Sequence, residues 1–110
     1  MKKEQAISII KETAERHGFI TNTYQWTRFI EIQEPEGTHF LNFMVMENTA
    51  PDTDWTRRKV TMELHIRASL ASMGGNPTPE DLIRASEIIR AGAELVQELE
   101  GMKLSYTEEF

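Results

Sequence analysis

The chain has 110 residues, 39% hydrophobic and 27% charged, with no cysteine and 12 Lys+Arg against 18 Asp+Glu, a formal charge of −6. That length suits one hydrophobic core, so a single domain over residues 1–101 is expected, followed by a tail, 102–110, that is either a short strand or a frayed end. The missing cysteine excludes a disulfide framework, thiolate metal sites and a cysteine nucleophile, and the acidic balance disfavours a phosphate-backbone partner.

After Lys2 and Lys3 comes only the interrupted run Ala6-Ile7-Ser8-Ile9-Ile10. This is too short for a signal-peptide core or a membrane span, and a cytoplasmic protein is expected. From Lys3 to His17 the apolar residues Ala6, Ile7, Ile10 and Ala14 recur at helical spacing, and Gly18 supplies a left-handed stop. Tyr24, Trp26, Ile30 and Ile32 then fall on one parity, with Phe29 as the exception, which predicts a strand over Tyr24–Gln33. Glu34-Pro35-Glu36-Gly37 reads as a turn, and His39 to Met46 as a second strand.

A connection from Glu47 to Arg58 leads to the cleanest alternation in the chain. Between Lys59 and Ala71, Val60, Met62, Leu64, Ile66, Ala68 and Leu70 alternate with polar or small residues. At about 3.3 Å per residue this third strand would span roughly 43 Å, which predicts a bend, a bulge or a protruding end. Met73-Gly74-Gly75-Asn76-Pro77 punctuates the chain, and Thr78 as N-cap, Pro79 and Asp81 open a helix that should run to Glu100 and stop at Gly101. Leu82, Ala85, Ile88, Ile89, Gly92, Leu95, Val96 and Leu99 form its apolar side, and Gly92 beside Ala85 and Ala93 predicts a close helix contact. The order predicts an α+β fold, α-β-β-β-α: a three-stranded antiparallel meander with two helices packed on one face, and the tail available as a short extra strand.

The central strand carries Leu41, Phe43 and Val45 on one parity and Phe40, Met44 and Met46 on the other. Only one set can face the helices, so an apolar patch is left on the open face, where Phe29 would join Phe40, Met44 and Met46. Trp55 is a further interface candidate. With Arg57, Arg58 and Lys59 it resembles a stacking residue flanked by phosphate contacts, but the simpler reading folds it back on the core as an anchor. Asp52 and Asp54 lack the further ligands of a calcium loop and are read as turn formers. Glu63, His65 and Arg67 share a strand face as an acid, a base and a cation, yet no nucleophile or oxyanion site accompanies them. His17 is expected at the end of the first helix and His39 at a strand start, so the three histidines make no ligand pattern. Neither an enzyme activity nor a cofactor or metal is predicted.

The helix, three strands, helix order resembles the double-stranded RNA-binding domain in topology. That resemblance implies a basic start to the second helix, whereas Thr78-Pro79-Glu80-Asp81 is acidic, and the activity is not carried over. The leading expectation is a non-enzymatic interaction module, a homodimer joined through the open sheet face or the end of the long third strand. An alternative is an acidic inhibitor or adaptor of the mobile-element type, docking Glu80, Glu87, Glu94 and Glu98 on a basic protein surface. A weak nucleic-acid binder acting through Trp55, Arg57, Arg58 and Arg67 comes third, and small-molecule chemistry or binding at Glu63, His65 and Arg67 last.

Overall fold

The computed structural model describes residues 1–23, 30–33, 41–71 and 75–110. Its elements are α1 (Lys3–Arg16), β1 (Ile20–Thr23), β2 (Ile30–Gln33), β3 (Leu41–Thr49), β4 (Lys59–Leu70), α2 (Pro79–Met102) and β5 (Ser105–Glu109). The strands form one antiparallel sheet in the order β1-β2-β3-β4-β5. The expected α+β class holds, with the meander β2-β3-β4 at the centre and a strand added at each edge.

Where local chemistry sets an element, the sequence reading and the structure agree. Thr78 Oγ1 accepts from the Asp81 amide at 3.2 Å while Asp81 Oδ2 accepts from the Thr78 amide at 2.9 Å, closing the capping box that starts α2. Gly18 follows α1 at φ 88°, a conformation that residues with a Cβ rarely adopt. The other end of α2 differs from expectation. The helix runs through Gly101 to Met102, and Lys103 takes the left-handed position at φ 49°. Leu104 then accepts the Leu64 amide at 2.9 Å, which draws the tail alongside β4 as β5.

Upstream, only Ile30–Gln33 of the expected Tyr24–Gln33 strand is described, and it pairs with β1. The pattern missed β1 because Ile20–Thr23 is too short to show an alternation. Residues 24–29 and the expected turn at 34–37 lie outside the described residues.

Ile32, Leu41, Phe43 and Val45 are buried against Ile10 and Ala14 of α1 and Leu95 and Leu99 of α2, so both helices cover the same sheet face. Phe19 meets Phe43 edge-on with ring centroids 5.1 Å apart. Gly92 explains itself here: a Cβ at that position would lie 2.6 Å from Leu41 Cδ2 and 3.1 Å from Phe43 Cζ. The close approach is therefore to side chains of β3 and not to another helix. A smaller cluster, Ala6, Val60, Met62 and Tyr106, joins the start of α1 to the first half of β4 and to β5.

Candidate functional site

The central strand's ambiguity is resolved by burial. Leu41, Phe43 and Val45 face the helices, which turns Met44, 54% exposed, and half-buried Met46 to the open face. Phe29 and Phe40, the other members of the expected patch, lie outside the described residues. Register places Ile20, Asn42, His65, Arg67 and Ser69 on the same face as Met44, so its described part is largely polar.

Trp55 is not the core anchor that the sequence suggested; it is 67% exposed. The connection closes on Asp54 instead, whose Oδ1 accepts from the Thr56 amide at 3.1 Å, the Thr56 hydroxyl at 2.6 Å and the Arg57 amide at 3.3 Å. These bonds, the Thr56 hydroxyl first, hold its carboxyl below the usual carboxylate range. Arg58 adopts φ 55° to complete the turn, and the tight loop leaves the indole outside. Arg57 pairs with Asp54 at 3.5 Å and Lys59 with Glu109 at 3.4 Å, so two of the three cations beside Trp55 already face carboxylates.

Glu63 and His65 are neighbours as expected, at 3.8 Å. Arg67 shares their sheet face, and Glu100 comes to the other side of the imidazole, also at 3.8 Å, while its Oε1 accepts the Ile66 amide at 2.8 Å. These residues border a cavity of about 370 Å³ with Lys103 and Ser105. Among the described residues no cluster of histidine, aspartate and glutamate is placed to hold a metal ion.

The acidic face of α2 is also altered by the fold. Glu98 accepts from Arg16 Nη1 at 2.8 Å and His17 Nε2 at 2.5 Å, tying the end of α1 to α2, while Glu80, Glu87 and Glu94 are exposed.

The surface that sequence reasoning missed lies on the other flank of α2. Ala85, Gly92, Leu95 and Leu99 are buried, but Leu82 is 53% and Ile89 42% exposed, and Val96 is only half-buried. Leu82, Ile89 and Val96 stand seven residues apart, one above another, on a stripe turned about 80° from the buried one. The helix is apolar over more of its circumference than its own sheet covers. Beside this stripe Leu70, at the end of β4, is 66% exposed, and Leu41, Ala68, Leu70, Ile89, Ala93 and Val96 line an apolar groove of about 510 Å³.

The adjoining strand edge is open. β5 pairs with β4 only over Lys59–Glu63, and Leu64 makes the last backbone bond on that side. Among the described residues no strand lies on that side of the remainder of β4. No helix among them is long and apolar enough to cross a membrane. Searches of protein-family models, curated proteins and solved structures find no match to this chain.

Proposed function

We propose that this chain is a non-enzymatic protein–protein interaction module that works as a homodimer, in the reducing setting that its lack of cysteine suits. The observation that carries the reading is the second apolar stripe of α2, Leu82, Ile89 and Val96, of which Ile89 and Val96 share a groove with exposed Leu70. Contiguous apolar surface of this kind marks association sites in otherwise charged proteins. Of the two expected routes to a dimer, the described apolar surface favours the end of the long strand over the open sheet face.

Light scattering across a dilution series tests the reading. The expected mass at micromolar concentration is twice the 12.7 kDa of one chain. Ile89→Glu should return the protein to a monomer with an unchanged circular dichroism spectrum, because Ile89 is outside the buried stripe. A wild-type chain that stays monomeric at every concentration removes the proposal.

A further inference from the structure

We infer that two copies join edge to edge through the second half of β4, about a two-fold axis at Ala68, with their α2 helices antiparallel across that axis. The inference rests on the homodimer reading above and specifies its geometry. Backbone direction supplies the first argument. The Leu64 amide points away from β3 to Leu104, and the β3–β4 register runs without a break from Thr49↔Met62 to Leu41↔Leu70. Alternate residues along a strand point the same way, so Ile66, Ala68 and Leu70 also aim their amides and carbonyls outward. Glu100 occupies the Ile66 amide. Ala68 and Leu70 carry no comparable cover among the described residues. Edges that must stay single are guarded by charged side chains, proline or a bulge; Glu100 guards Ile66, whereas Ala68–Leu70 carries none of these.

The groove supplies the second argument. A strand added at this edge places its own helix-side residues, Ala68 and Leu70 of the second copy, against Ile89, Ala93 and Val96. Charge excludes one axis. A two-fold at Arg67 would set that cation against itself at roughly 4.5 Å between Cα atoms. A two-fold at Ala68 sets Arg67 opposite Ser69 and Ile66 opposite Leu70, and closes a reciprocal pair of Ala68 hydrogen bonds. Ala68 and Ala93 line the same groove, so this axis passes near the middle of α2. There, antiparallel helices set the apolar stripes of the two copies, Ile89 and Val96 about Ala93, against each other. The occupant is thus a second copy, since the surface is complementary to itself. α2 is about 36 Å long and about 10 Å across, so a strip along it covers on the order of 360 Å² per partner, to which the paired strand edge adds, against the roughly 800 Å² of a standard interface. The result is one continuous antiparallel sheet built from two five-stranded sheets.

Because the chain has no cysteine, single introduced thiols report the geometry directly. Ala68→Cys places two thiols on Cα atoms about 5.5 Å apart, within disulfide range, and a mixture of Arg67→Cys with Ser69→Cys tests the neighbouring pair. Met44→Cys, on the open sheet face, is the control. Under mild oxidation Ala68→Cys should cross-link at least about tenfold faster than Met44→Cys, since aligned thiols react at an effective concentration far above the micromolar bulk. The Arg67→Cys and Ser69→Cys mixture should give the mixed dimer at a similar advantage, and it decides the matter if Ala68→Cys fails to fold. Preferential cross-linking at Met44→Cys, or none at positions 67–69 in a chain that light scattering finds dimeric, overturns this geometry and leaves the homodimer standing. A monomeric chain overturns both.

Discussion

The two halves of β4 carry the same sequence pattern and have opposite fates. From Lys59 to Glu63 the strand is paired on both sides, with β3 and with β5, and Val60 and Met62 are buried with Ala6 and Tyr106. From Ile66 to Leu70 it keeps β3 on one side and has, among the described residues, only the Glu100 carboxylate on the other. Leu70 continues the parity of Met62 and is nevertheless mostly in solvent. Alternation determines which side of a sheet a residue takes. Whether that side is covered depends on segments from elsewhere in the chain, here the last residues of the chain and the first turn of α1.

The sharpest way to break this contrast is truncation at matched positions. Met62→Ala removes a buried side chain and should cost about 2–5 kcal/mol of unfolding free energy in urea. Leu70→Ala, measured at a concentration low enough to hold the chain monomeric, should stay within about 0.5 kcal/mol of wild type. Equal losses at the two positions would show that the end of β4 is covered within the single chain. A smaller effect is expected at Tyr106→Phe. The Tyr106 hydroxyl donates to Glu47 Oε1 at 2.5 Å, and its loss leaves a half-buried carboxylate without that donor. The expected cost is about 1–2 kcal/mol, at the low end for hydrogen bonds to charged groups because Glu47 keeps some access to water. Removing the cap of the helix over the second half, Thr78→Ala, should cost about 1 kcal/mol. A loss of several kcal/mol there would mean that the start of α2 is held by more than its capping box.

The same contrast shows what could be read from the residues. Gly18, Thr78 and Pro79 act through their own backbone, so the helix stops and starts were visible in the sequence. The long alternation of β4 was equally plain, and the Lys59–Leu70 strand ends within a residue of expectation. Leu82, Ile89 and Val96 could not be separated from Ala85, Leu95 and Leu99, because a helix of this kind presents one broad apolar side until a sheet covers part of it. Glu100 was invisible as a partner of His65 and Ile66, since it comes from a different element 34 residues beyond Ile66. Trp55 was misread for a related reason. An indole predicts burial by its size, but three bonds to Asp54 within the loop decide where it points.

The smallest expected effect lies at the joint between the two helices that cover the two halves of β4. Arg16 and His17 end α1, and both donate to Glu98 of α2. Those bonds, His17 first and Arg16 second, hold the Glu98 carboxyl below its ordinary value of 4.5. The folded chain therefore takes up this proton less readily than the unfolded chain. The stabilisation is fully present above that ordinary value and is lost as the pH falls through the lower value of the folded state. Glu98→Gln keeps the shape and removes the charge, so its denaturation midpoint should lie below wild type at neutral pH. The gap should then close on acidification through the range below 4.5. Asp54 and Asp81 are lowered too and weaken the fold in acid, but they do so equally in both chains, so the difference between the two curves isolates the joint. A gap that stays constant with pH would show that Glu98 acts by packing alone. The two halves of β4 would then share a scaffold whose helices are held together by apolar contact without help from this charge.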